Sequence, residues 1–157
     1  MREFVDTRER VWLLELNGAT DLRLKTDGGD DYDLMKIGAG DSSIQLRLLQ
    51  DASYLIQVAR FLLVDPEGRP RRDVSVDDFA IGISGSNRAE LFEAVANEIV
   101  DFSPPSLRPI VTAAIQDFVD MMDLTAKEMA SVFAKDSGDS PESAELISDD
   151  LLSANST

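Results

Sequence analysis

The side chains that could do chemistry in this chain are carboxylates, hydroxyls, lysines and arginines. There are 30 acidic residues, no cysteine and no histidine among 157. Without cysteine there is no disulfide, no thiolate nucleophile and no sulfur-ligated metal. Without histidine there is no imidazole base, no Ser-His-Asp relay and no imidazole metal site. An enzyme built here would have to use carboxylate pairs such as Asp77-Asp78 or Asp149-Asp150 as acid and base. Neighbours in sequence do not face one another on a helix, and so many carboxylates make such adjacencies expected by chance.

Two loops invite ligand readings. Asp27-Gly28-Gly29-Asp30-Asp31-Tyr32-Asp33 is acidic enough for calcium. A calcium loop needs oxygens at positions 1, 3 and 5, glycine at 6 and glutamate at 12. Counting from Asp27 places Tyr32 at 6 and Gly38 at 12, and counting from Asp31 places Lys36 and Ser42 there. Both registers fail, leaving a solvated acidic turn. Gly38-Ala39-Gly40-Asp41-Ser42-Ser43 begins like a dinucleotide fingerprint, but Ser43 replaces the third glycine and Asp41 would oppose a pyrophosphate. It reads as a turn capping a helix. Arg69, Arg71 and Arg72 form a basic cluster, read as a solvated loop tip that could meet an acidic partner. Neither a cofactor nor a metal is expected.

The elements that would position these groups follow from periodicity. Apolar and polar residues alternate over 2–6 and 11–16, which predicts a β-hairpin with Phe4, Trp12 and Leu14 facing inward, although its turn lacks Asn-Gly. Asn17-Gly18-Ala19-Thr20 breaks the beat, and 21–26 fits a third strand or a short helix. A loop is expected from Asp27 to Ser43, with an apolar island over 34–37 and Ser42 or Ser43 as the next N-cap. From Ile44 to Val64 the spacing is helical, with a possible break at Asp51-Ala52-Ser53, and Asp65-Pro66-Glu67-Gly68 is a stop. Ser75-Val76-Asp77-Asp78 has the form of a capping box and opens a short helix. Leu91, Phe92, Val95, Ile99 and Phe102 line a helix from Ser86 or Asn87 to Phe102, with Arg88, Glu90, Glu93, Asn97 and Glu98 opposite. After Ser103-Pro104-Pro105 a long helix runs from Pro105 or Ser106 to about Lys135, and the short link predicts an antiparallel pair.

The expected fold is mainly α with an N-terminal β-hairpin, an α+β arrangement: a small helical domain over 1–135 and a disordered acidic tail over 136–157. That tail holds six acids, six serines and no basic residue. On the long helix, Leu107, Val111, Ile115, Phe118, Met122 and Met129 form one stripe and Ile110, Val119 and Met121 a second. Two stripes exceed one packing face. Ile110, Val119, Met121, Met122 and Met129 are therefore the candidate partner-binding residues, methionine suiting surfaces that accept varied apolar segments.

The net charge of −15 repels phosphate backbones and anionic lipids, so neither nucleic acid nor membrane is an expected partner. The N-terminus has no apolar run of a secretory signal, and Tyr54–Val64 is too short and polar to span a bilayer, so the cytoplasm is the expected location.

Three stretches resemble a known family. Arg2-Glu3-Phe4-Val5-Asp6 with Arg10-Val11-Trp12 is similar to the "REF.D..GR.W" start of small bacteriophage and prophage tail assembly chaperones and their bacterial relatives. Tyr32-Asp33-Leu34, Arg47-Leu48 and Asp51 resemble the stretch before that family's central helix. Asp77-Asp78-Phe79, Gly85, Ala89, Ala94 and Asp101-Phe102-Ser103-Pro104 with Arg108 resemble its later run, so the likeness covers about residues 2–120. Glu9 stands where the family has glycine, and Ser103 where it has a second phenylalanine. The resemblance implies a small adaptor without catalytic residues. It would hold a long, aggregation-prone helical tape-measure protein while a tail tube polymerises around it. The second apolar face of the long helix is expected to be covered by such a helical client, by a second copy of the chain, or by both. A structural connector or neck component of the virion and a carboxylate-based hydrolase are the alternatives.

The tail offers too few apolar groups to offset the entropy of ordering it. A chain ending at Lys135 is expected to keep its Tm, measured by calorimetry, within a few degrees. A fall of more than about 10 °C would mean that several kcal/mol of folding energy resides in the tail.

Overall fold

The computed structural model describes residues 1–136, with side chains to Lys135. Apart from the backbone of Asp136, the acidic tail expected over 136–157 lies outside the described residues. The fold is mainly helical with an N-terminal antiparallel hairpin, as its periodicities imply. Strands β1 (Arg2–Val5) and β2 (Val11–Leu14) pair with Phe4 opposite Trp12 and Val5 opposite Val11. Strand pleating sends alternate side chains to opposite faces. Phe4, Trp12 and Leu14 are accordingly buried, while Val5 and Val11 are exposed.

Helix α1 (Gly18–Arg23) settles the ambiguous stretch. Asn17-Gly18-Ala19-Thr20, read as a break, is a helix start: the Asn17 side chain accepts the Ala19 and Thr20 amides, and the Thr20 hydroxyl accepts the Asn17 amide. The alternation of Leu22 and Leu24 is thus not a strand signal. Leu22 is exposed and Leu24, in the π turn Leu24–Gly28 that follows, is buried. The expected loop tightens into 3-10 turns at Asp30–Tyr32 and Leu34–Ile37, the second burying Leu34 and Ile37.

The long apolar run splits at Asp51 into α2 (Ser42–Gln50) and α3 (Ala52–Phe61). Asp51 ends the first and caps the second, accepting the Tyr54 amide at 3.1 Å. The cap of α2 is Asp41 rather than either serine, because its carboxylate reaches the amide of Ser43 at 3.0 Å and its hydroxyl at 2.6 Å. Leu63 and Val64 do not continue α3. They form β3 (Leu63–Val64), antiparallel to β2, giving a sheet in the order β1-β2-β3. Both are buried, so the strand shows no alternation that would separate it from a helix end.

Helix α4 (Val76–Ala80) opens on Ser75, whose hydroxyl accepts the Asp78 amide at 3.1 Å. Helix α5 (Arg88–Phe102) follows the N-cap position Asn87 and buries Leu91, Val95 and Ile99 completely. Glu98, assigned above to its polar face, is buried. It stands seven residues after Leu91, two helical turns on, and so shares the core side. One carboxylate oxygen accepts the Leu16 amide at 2.9 Å and the other lies 3.7 Å from Arg2 Nε, tying α5 to the sheet.

Helix α6 (Arg108–Asp136) begins later than expected, after Arg108 folds back onto the carbonyls of Ser103 and Asp101 at 3.0 and 2.9 Å. Ile115 and Phe118 in its early turns line a small recess together with Phe92 and Ala96 of α5. The principal neighbours of α5 are β1, β2 and α3, which already cover its apolar face. The chain divides inside α6, between Phe118 and Val119, into two compact units. Among the described residues no helix is long and apolar enough to cross a membrane.

The hairpin turn is built on a buried carboxylate. Asp6 Oδ1 accepts the amides of Arg8 and Arg10 at 2.8 and 3.0 Å, and Oδ2 accepts Arg10 Nε at 2.7 Å and Trp12 Nε1 at 2.9 Å. This organises the turn without Asn-Gly, and Glu9 takes the left-handed conformation, at φ 61°, where the resembled family has glycine. The same turn docks on the segment after α4. Thr7 gives its amide and hydroxyl to the Gly82 carbonyl at 3.0 and 3.1 Å, and Gly82 lies so close to Asp6 that a Cβ there would overlap the carboxylate. Arg10 continues to Asp78, at 3.1 Å from its carboxylate, and Trp12 meets Phe79 edge-on at 5.4 Å.

Burial disfavours charge on Asp6, but hydrogen bonds from the Trp12 indole, the Arg10 and Arg8 amides and the Arg10 guanidinium outweigh it and hold its pKa at about 2. A folded pKa below the unfolded one contributes stability that is full above about pH 4 and lost as pH falls towards 2. Asp6→Asn replaces an acceptor oxygen with a donor among donors. It is expected to cost about 2–4 kcal/mol at pH 7 in urea unfolding. The gap between wild type and variant should narrow between pH 4 and 2. An unchanged gap would mean that Asp6 is not charged in the folded state.

Candidate partner-binding face

The first three turns of α6 bury Val111 and half-bury Ile115 and Phe118 against the unit to which they belong. From Met121 to Lys135 every residue is exposed. Met122 and Met129, placed above on the same stripe as Val111, are 37% and 59% exposed. Met121 is exposed and Val119 half-buried. Ile110, which belongs to the first unit, is exposed. Within the second unit the helix brings Met121, Met122 and Met129 onto one side, with Val119 at the margin of the stripe.

With Thr125 and Val132 added, the first stripe becomes a regular seam. Val111, Ile115, Phe118, Met122, Thr125, Met129 and Val132 recur at intervals of four and three. That alternation is the 3.5-residue repeat with which one helix packs along another. Thr125 fits an apolar seam because its hydroxyl is already satisfied by the Met121 carbonyl at 3.0 Å. Asp117, Asp123 and Lys127 stand on the other side of the helix. From Val119 to Lys135 three acids face two lysines, so this segment is nearly balanced in a chain of net charge −15.

Most of the other candidates are engaged in structure, while Arg72 and Asp77 are exposed. Asp27, Asp31 and Asp33 of the acidic loop pair with Arg23, Arg47 and Lys25 at 3.8 Å each. Asp33 also caps a 3-10 turn through the Met35 amide. Among the described residues no group of three or more acids is placed to hold a metal. The glycine-rich stretch ends in the Asp41 cap of α2 and presents no strand-turn-helix phosphate cradle. Of the carboxylate pairs, Asp78 is held by Arg10, and Asp149-Asp150 lies outside the described residues. Arg69 bonds Asp65 and Glu67, and Arg71 bonds Asp73 through two nitrogens.

Two hollows remain. A recess between Leu48, Phe92, Ala96 and Ile115 encloses about 10 Å³, a packing gap of one water at most. An open trough of about 350 Å³ runs beside Arg2, Glu3, Glu90, Glu93 and Asn97. It is broad and acidic, with no hydroxyl or lysine nucleophile lining it.

Comparison of the chain with protein-family models, with curated proteins and with solved structures gives no match.

Proposed function

We propose that the chain is a non-enzymatic binding protein that holds a long helical client along α6, as a bacteriophage tail assembly chaperone holds a tape-measure protein. The observation that carries this reading is the four-three spacing of exposed Met122, Thr125, Met129 and Val132 within the second unit. A seam with this period fits another helix and little else. Methionines let it accept clients that differ in side-chain shape. The high negative charge elsewhere keeps the complex soluble and discourages wrong partners. The site of action in this reading is the cytoplasm of the cell in which the tail is assembled.

Sedimentation with an uncharged, 35-residue heptad-repeat peptide tests the proposal. Co-sedimentation is expected, and it should persist or tighten from 50 mM to 500 mM NaCl as like-charge repulsion is screened. Met129→Glu should weaken it at least about tenfold by placing a charge in an apolar seam. The same variant should leave Tm unchanged, because an exposed substitution moves stability by less than about 0.5 kcal/mol. No complex at either salt, or binding indifferent to Met129→Glu, overturns the reading.

A further inference from the structure

Arg23, Arg60 and Arg72 gather at the loop 71–74 with few carboxylates beside them. Arg23, at the end of α1, is 4% exposed. Its Nη1 donates to the Arg71 carbonyl at 2.6 Å, while its buried Nε has no hydrogen-bond acceptor. The one acid beside it, Asp27, stands off at 3.8 Å and is largely solvated. Arg60, on α3, gives Nε to the Val74 carbonyl at 2.9 Å. Both guanidiniums lie over the Phe61 ring, at 5.4 and 5.7 Å. The carbonyls they hold, Arg71 and Val74, bracket Arg72 and Asp73; Asp73 is taken up by Arg71 through two nitrogens, while Arg72 is exposed and makes no ion pair among the described residues.

Such an arrangement is costly for its own sake. A buried guanidinium with an unmet donor loses hydration without replacement, and like charges brought close repel. Desolvation, and then the charges of Arg60 and Arg72, lower the affinity of Arg23 for its proton, with Asp27 opposing them. Against three guanidiniums and one carboxylate, the charge missing is two negative units. Guanidinium forks match the oxygens of a tetrahedral oxyanion, which takes several bonds at once.

We propose that Arg23, Arg60 and Arg72 form a binding site for a phosphate dianion, either free or as a phosphomonoester. The wider field of the protein repels a polyanion such as nucleic acid, so a single phosphate group fits here where a phosphate backbone does not. This site is independent of the α6 seam.

Titration of the full chain at pH 7.5, followed through the arginine Nε–Hε NMR signals, tests it. Inorganic phosphate is expected to shift the Arg23, Arg60 and Arg72 signals saturably, with Kd on the order of 1 mM or tighter, whereas chloride at equal ionic strength should not. Arg72→Gln and Arg60→Gln should each weaken binding at least about fivefold. Asp27→Asn should strengthen it by removing a competing carboxylate, an effect that a merely structural Arg23–Asp27 pair would not give. A phosphoserine peptide run in parallel identifies the source: tighter binding than inorganic phosphate indicates a phosphorylated partner, and weaker binding indicates free phosphate. Shifts that grow linearly and match those in chloride, or affinity unaltered by Arg72→Gln and Asp27→Asn, overturn the proposal.

Discussion

A carboxylate taken out of water must find donors for its oxygens or give up its charge, and Asp6 finds four within the reach of one turn. That constraint propagates outward. Two of the donors are backbone amides, so the turn closes at the register that puts Phe4 opposite Trp12. The third is the Trp12 indole, whose ring is thereby set against Phe79 of α4. The fourth is Arg10, which reaches on to Asp78 in the same helix. Gly82 admits the carboxylate because it has no side chain, and its carbonyl gathers Thr7 and Asn87. Hairpin, α4 and the start of α5 are therefore positioned by one group, and the sheet they complete is the surface on which α5 packs.

Much of this was legible in the residues, and the exceptions share a cause. Helical spacing located α5 to its last residue and put a boundary at Asp51, because amphipathic periodicity and capping chemistry are local signals. The strand at Leu63 and Val64 was not legible: two buried residues carry no alternation, and the identity of a strand lies in its partner. The Asn17 start was masked by its glycine, which reads as a breaker although the Asn17 side chain and Thr20 make a reciprocal cap. Glu98 was assigned by residue type over position, although its distance from Leu91 gave its side of the helix. The α6 seam was legible as spacing. Where it stops being covered was not, because that depends on how far the neighbouring elements extend. The arginine cluster was only one-third visible, since Arg23 and Arg60 reach the loop from separate helices.

Charge is distributed unevenly in a way that matters for both proposals. The chain carries twice as many acids as bases, yet arginine is used at the points where elements meet. Arg10 lies 4.8 Å over Trp12, Arg47 lies 4.1 Å over Tyr54, and Arg88 holds the Leu49 carbonyl at 2.7 Å. A planar guanidinium can stack on a ring and donate at its edge at once, which lysine cannot. The acids meanwhile serve largely as caps and surface charge. Many of the few basic groups act as connectors inside the fold, and the sequence from Val119 to Lys135 is by contrast nearly neutral.

That segment has a consequence for how the chain folds and breathes. A helix of fewer than about 15 residues on its own is marginal in water, because nucleating its first turn is unfavourable. Here nucleation falls to the turns carrying Val111, Ile115 and Phe118, and the exposed turns beyond need only propagate from them. Amide exchange along α6 should therefore fall into a gradient, slow near Val111 and quickening turn by turn towards Lys135, where opening costs little. The face proposed for a client would then be the least protected part of the longest helix, ordered enough to present a seam and loose enough to adjust to a client laid along it.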